Sequence, residues 1–248
     1  MLLGFDRFSF PGATLMRSLW DSVADMTFVG LYLAPAPSHP DTSWMEAAPA
    51  LQSIGWGVLP TYVGQQVIGS GSHDVTEARG TIDGLHAAGL AAGIRLHPQC
   101  VVYLDIENGG LMPGNQVKYV KAWIREVHVN SIYWAGVYCS RTQTAQQVAD
   151  NVADIVTETG HPVETWVYGP IDQGPSTIDL GAEAARDPAT SGFPSALVWQ
   201  YRMSMQGPID LRWIDSQAGT ARRLNHVDLN CSSVSDPARP DGGPTWVT

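Results

Sequence analysis

Lysine is almost missing from this chain. Lys118 and Lys121 are the whole complement in 248 residues, and the formal net charge is −10. No run of Lys and Arg is available to follow a phosphate backbone, so a nucleic-acid surface is not expected. No stretch approaches the roughly 20 apolar residues of a membrane span. The N-terminus has neither a basic segment nor an apolar core of the secretory kind, and Leu2 to Phe10 already reads as a strand. Any export therefore uses another route or follows removal of a leader. The three cysteines, Cys100, Cys139 and Cys231, have no C-x-x-C spacing, which argues against a zinc ribbon and fits small buried apolar residues. The seven histidines show no H-x-x-x-H or H-E-x-x-H pattern. No G-x-S-x-G elbow exists; the nearest run, Gly69-Ser70-Gly71-Ser72, reads as a flexible loop. No resident metal or cofactor is expected.

What is present is a well-cored chain, 44% hydrophobic and 15% charged, in which short apolar runs alternate with helical stretches. Strands are expected at Leu3–Phe8, Phe28–Ala34, Gly57–Val63, Cys100–Glu107, Tyr133–Cys139, Glu164–Tyr168, Ala196–Tyr201 and His226–Asn230. Helices are expected at Thr14–Ala24, Ser43–Ser53, Val75–Ala91, Asn115–His128 and Thr142–Thr159, with a weaker one at Leu180–Arg186; Asn115 and Thr142 read as N-caps. Eight strands alternating with helices over about 250 residues predict an α/β fold, a TIM-type (β/α)8 barrel. The competing open sheet carries a Gly-rich phosphate loop after its first strand, and Gly4-Phe5-Asp6-Arg7-Phe8 is not one. The last repeat looks irregular: Met203–Arg223 has no clear helix, and Pro208–Trp213 reads as an extra strand or hairpin. One barrel domain is expected over residues 1–234, followed by a loose Pro/Gly-rich tail over 235–248.

The chemistry concentrates in Tyr103-Leu104-Asp105-Ile106-Glu107-Asn108-Gly109-Gly110. Residues i and i+2 of a strand share a face about 6–7 Å apart, so Asp105 and Glu107 stand side by side where the chain breaks into glycine. In a barrel the active site forms at the C-terminal strand ends. Those ends here carry Asp6, Asp105, Glu107 and Asp228, and closure pairs the first strand with the last. Tyr62, Tyr138, Trp166, Tyr168, Trp199 and Tyr201 also fall near strand ends. Acids set among aromatic rings suit a sugar cleft, in which one carboxyl donates a proton and others stabilise positive charge on the sugar. The loop with Gln65, Gln66 and His73 is placed to overhang that cleft.

Gly4-Phe5-Asp6, Tyr103–Glu107, Gly136-Val137-Tyr138-Cys139-Ser140, Trp199-Gln200-Tyr201 and Val227-Asp228-Leu229-Asn230 occur in the order found in glycoside hydrolase family 25 lysozymes. The chain resembles still more the glycoside-hydrolase-like domain once called domain of unknown function 1906. That likeness includes Val29–Leu33, Ser43-Trp44, Gly55-Trp56-Gly57 and Leu59–Gly64, and it covers roughly residues 3 to 232. The resemblance implies a TIM-type barrel acting on bacterial cell-wall glycan outside the cytoplasm, with Glu107 as proton donor and Asp6, Asp105 and Asp228 lining the cleft. Trp166-Val167-Tyr168-Gly169-Pro170 departs from the lysozymes' Trp-x-Ala at the sixth strand. The polysaccharide is the expected partner. Two alternatives stand beside the hydrolase: a catalytically silent barrel that binds glycan through its aromatics, and a metal-dependent barrel enzyme whose acids hold Mg²⁺ or Ca²⁺.

Overall fold

The computed structural model of the chain describes residues 1–170, 177–202 and 209–247. Its elements in chain order are β1 (Leu2–Asp6), α1 (Ala13–Ser22), β2 (Met26–Tyr32), α2 (Ser43–Glu46), α3 (Ala48–Ile54), β3 (Gly57–Val63), α4 (Glu77–Gly93), β4 (Val101–Ile106), α5 (Gly114–His128), β5 (Trp134–Cys139), α6 (Thr142–Thr159), β6 (Glu164–Tyr168), β7 (Thr177–Asp179), a 3₁₀ turn at Pro188–Thr190, β8 (Val198–Arg202), β9 (Ile209–Ile214) and β10 (Ala221–Ser232). The sheet runs β1-β2-β3-β4-β5-β6-β8-β10 and closes through a β1–β10 pairing, so the fold is an eight-stranded α/β barrel. No described helix is long and apolar enough to cross a membrane.

The barrel departs from a uniform (β/α)8 pattern at its last repeat. β10 is antiparallel to both neighbours, β8 and β1, whereas the other barrel pairings are parallel. The first half of β10 runs past the end of β1 and pairs with β9, and β9 in turn pairs with β7. Residues 209–214 thus form the extra strand expected there, while Pro208 lies outside the described residues. Leu180–Arg186 is not a helix but a turn, with the amides of Ala182 and Glu183 bonded back to the Asp179 carbonyl. Two expected caps also shift by one or two residues: Pro113 and Arg141 precede the first turns of α5 and α6.

Strand alternation sorts the two faces. Phe28, Leu59, Val101, Tyr103, Tyr138, Trp166, Tyr168 and Val198 pack inside the barrel. Their strand neighbours, among them Phe5, Val58, Tyr62, Leu104, Val137, Trp199, Tyr201 and Leu229, face outward into the larger core beneath the helices. Two glycines make the crowded interior possible. A Cβ at Gly136 would lie 2.5 Å from the Tyr103 ring, and one at Gly30 would lie 2.5 Å from Cβ of Asp6. Overpacking of this kind costs about 1–3 kcal/mol, so glycine is needed where rings and acids fill neighbouring strands.

The tail corrects the expectation of a loose extension. It folds across the N-terminal end of the barrel and seals it. Asp236 accepts from the Val58 and Ala238 amides at 3.0 and 3.1 Å and from the Thr245 hydroxyl. The Tyr103 hydroxyl, rising from the barrel interior, donates to the Pro237 carbonyl at 3.0 Å, and the Val101 amide donates to Ala238 at 2.8 Å. Arg239 is only 5% exposed, its guanidinium held by Asp241 and by the Pro98 and Pro244 carbonyls. Trp246 bridges to Leu96.

Candidate active site

With the lower end sealed, the open end is the one formed by the C-terminal tips of the parallel strands. Asp6 is the last residue of β1, and the closing register sets it opposite Asp228 on β10. Reversal of β10 leaves this placement intact, because the two-residue period is the same in either chain direction. Asp105 faces inward from β4, and Glu107 follows one step past the strand end at the exposed rim.

Mutual repulsion ties Asp6, Asp105 and Glu107 together, and the field of Asp228 reaches the Tyr138 hydroxyl along with theirs. Asp6 is pushed up to about 6, chiefly by burial; hydrogen bonds from Asn230 and Tyr32 offset part of that, and repulsion from Glu107 adds to it. Asp105 is held well above the usual carboxylate range by burial first, then by repulsion from Glu107 and Asp6. Its Oδ1 is buried and has no hydrogen-bond partner among the described residues. Glu107 is raised as well, because the surrounding protein withdraws water even though the side chain remains accessible. The Tyr138 hydroxyl is raised by burial and by the fields of Asp105, Glu107, Asp6 and Asp228 together. All four acids therefore face one mouth.

Two residues that the sequence reading did not single out fix Asp6. The Tyr32 hydroxyl donates to Oδ1 at 2.9 Å, and Asn230 Nδ2 donates to Oδ2 at 2.8 Å. Trp166 Nε1 donates to Asn230 Oδ1 at 2.9 Å. An indole can only donate, so it fixes the amide orientation and leaves the Asn230 NH₂ to face the carboxylate. The signal was present: Asn230 lies two residues after Asp228 and Tyr32 two after Gly30, each on the inward face.

The six expected sugar-contacting aromatics divide by strand face. Tyr138, Trp166 and Tyr168 turn inward beneath the acids; Tyr138 and Trp166 meet edge to face at 4.6 Å, and the Arg141 guanidinium lies 5.5 Å above the Tyr168 ring. The structure does not bring the other three to the mouth. Tyr62 points out between the helices, bonded to His86 at 3.2 Å and packed against Trp123. The indole of Trp199 donates outside the barrel to the Gly169 carbonyl at 2.7 Å, and the Tyr201 hydroxyl donates to Glu183 at 3.2 Å. The open ring at the mouth is instead Phe8, 57% exposed in the loop after β1 and 4.4 Å from His39, which in turn stacks on Tyr32 at 4.5 Å. Among the described residues no group of three or more His, Cys, Asp or Glu side chains is arranged to hold a metal ion.

The fold and site thus define an α/β barrel closed by a reversed last strand, with clustered carboxylates at its open end. The chain belongs to the Rv2525c-like, glycoside hydrolase-like domain family, whose model matches residues 19–173. Asp105 and Glu107 lie within the matched span; Asp6 and Asp228 lie outside it. No curated protein matches the chain. Among solved structures, an uncharacterized B. stearothermophilus protein is 17% identical with a TM-score of 0.64, over 94% of this chain and 96% of that one. The Tat-secreted protein Rv2525c of Mycobacterium tuberculosis, in complex with L-tartrate, is 15% identical with a TM-score of 0.55, over 99% and 98%. A family 25 glycosyl hydrolase from Bacillus anthracis is 15% identical with a TM-score of 0.56, over 94% and 89%. These likenesses establish the fold; the chemistry has to be argued from the site.

Proposed function

We propose that this chain is a muramidase-type glycoside hydrolase that cleaves a β-1,4 bond in peptidoglycan or a related N-acetylated glycan. The observation that carries the reading is the pairing of an accessible Glu107, its carboxyl raised by burial, with a buried Asp105 and Asp6 at one barrel mouth. Glycosidic cleavage needs a carboxyl that still holds its proton near neutral pH and can reach the leaving oxygen. Burial favours the protonated form of Glu107 and its place at the rim leaves it accessible, so it acts as the general acid. Asp105, directly beneath, orients the substrate's acetamido group or stabilises the oxazolinium ion that group forms as it attacks the anomeric carbon, a substrate-assisted route. Asp6 and Asp228 bind and polarise the sugar, and Phe8 offers the open ring for stacking.

The fold of the family 25 glycosyl hydrolase and the membership of a glycoside hydrolase-like family support this reading. Digestion of purified peptidoglycan, with mass analysis of the soluble products, tests it. New reducing ends on disaccharide-peptide fragments are expected. Retention of the glycan with no new reducing ends would overturn the hydrolase and leave a glycan-binding barrel.

A further inference from the structure

We propose that Gln66, in the loop after β3, is a positioning residue that sets the direction of Glu107 by bridging the backbone on either side of Ile106. The inference rests on the reading of Glu107 as general acid, and it concerns how that acid is aimed. The regular β3–β4 ladder ends at the Val63–Asp105 pair. One step further along β4, the chain has no strand neighbour on that side and soon breaks into Asn108-Gly109-Gly110. Gln66 takes the missing place. Its Nε2 donates to the Asp105 carbonyl at 3.0 Å, and the Glu107 amide donates to its Oε1 at 3.1 Å. The side-chain amide thus supplies the donor and the acceptor that a further strand residue would have supplied.

Every polar group of Gln66 is engaged. Its own amide donates to the Ser72 carbonyl at 2.9 Å, and its carbonyl accepts from His73 Nδ1 at 2.6 Å. The residue is buried, 4% exposed. Gln65, next in the chain, ties the same loop to the helices: its amide donates to the Tyr119 hydroxyl at 3.0 Å and its Nε2 to Asp83 at 3.1 Å. Asp83 also accepts from Tyr119 at 3.0 Å. Rigid helices therefore hold the loop through Gln65, and the loop holds the Asp105–Glu107 backbone through Gln66.

The chemistry of the clamp is selective. It requires one donor and one acceptor at glutamine's reach. Methionine keeps the volume and has neither, and asparagine is one methylene short. Without the clamp, the Glu107 amide and the Asp105 carbonyl lose their partners, and Glu107 is free to swing away from Asp105 and Asp6. A misplacement of about 1 Å at a reacting group costs on the order of 10²-fold in rate.

The test compares the full-length wild type with Gln66→Met by two readouts: peptidoglycan cleavage across pH, and carbon-13 titration of the Asp and Glu carboxyls. The expected result is a kcat lowered about 10–100-fold with KM within about threefold of wild type. Asp6 and Asp105 should titrate at lower pH than in the wild type, as repulsion from Glu107 falls. A kcat and titration curves that match the wild type would overturn the positioning role while leaving the hydrolase intact. A wild type that cleaves nothing, with carboxyl titrations that still move in Gln66→Met, would sink the hydrolase and keep the clamp. If Gln66→Met fails to fold, His73→Ala decides. His73 is exposed, and its loss frees the Gln66 carbonyl; a smaller shift in the same direction is expected, and unchanged titrations would overturn the role.

Discussion

The two ends of the barrel treat buried carboxylates in opposite ways. At the sealed end, part-buried Asp236 is surrounded by two backbone amides and a hydroxyl, and exposed Asp241 is pulled down to about 2 by the buried Arg239 guanidinium. At the open end, among the described residues, neither Asp6 nor Asp105 has a cationic partner and one buried Asp105 oxygen has no hydrogen-bond partner. Burial still raises Asp236 and half-buried Glu164 at the sealed end, but the hydrogen bonds of Asp236 offset part of its rise and, among the described residues, no second acid repels it. A fold that can satisfy its acids at one end and leaves them repelling one another at the other is spending stability at the mouth. That contrast separates an acid that holds the fold from an acid that is available for chemistry.

The largest effect should come from Glu107→Gln. Removing the deliverable proton should lower the rate of reducing-end release by about 10²–10⁴-fold. Repulsion on Asp6 and Asp105 is relieved by the same change, so the melting temperature should hold or rise. Unfolding of the variant would make Glu107 a structural acid and erase the contrast between the two ends.

Asp236→Ala probes the sealed end. It strands the buried Val58 and Ala238 amides, and the expected cost is about 2–4 kcal/mol in urea unfolding, with kcat of the folded fraction unchanged. A loss of activity without a loss of stability would mean that the tail acts on the mouth.

The third test uses pH. Asp6 titrates at about 6 in the folded chain and near 3.8 when unfolded. Between those values the folded chain binds a proton that the unfolded chain does not. Stability contributed by this group is therefore complete below about pH 4 and is lost as pH rises through 6, by up to about 3 kcal/mol. Urea unfolding from pH 4 to 7 should show that decline in the wild type and a flatter profile in Asp6→Asn; identical slopes would remove Asp6 from the strained set.

The smallest effect should belong to the outer face. Tyr62→Phe loses one hydrogen bond to His86 and about 1 kcal/mol, and glycan affinity measured by pull-down on insoluble wall should not move. Weakened binding would put Tyr62 back in the cleft.

Much of this site was legible because alternation in a strand survives folding. Asp6, Asp105, Glu107 and Asp228 all reach the mouth, as strand spacing required. Alternation does not say which face is inward, however. Trp199-Gln200-Tyr201 reads as two aromatics flanking a polar residue, yet Gln200 takes the inner face and the rings go out. Nor does alternation carry strand direction, so the reversal of β10 could not be read from Val227-Asp228-Leu229-Asn230. The tail misled for a different reason. Its Pro, Gly and Asp content does specify irregular backbone, but its anchoring depends on Asp236 meeting Val58, 178 residues away in sequence, and no local pattern records such a contact.

Closure by the last strand also places the site in time. Asp6 leaves the ribosome long before Asp228 opposite it and before Asn230, which orients it from 224 residues further on. Pairings this distant in sequence are the slowest to form, because the whole intervening loop must be ordered first. A nascent chain that has already built β1 through β6 still has an open seam and lacks the fourth acid, Asp228, on β10. The last event in making this barrel and the first moment at which its mouth is complete are the same event.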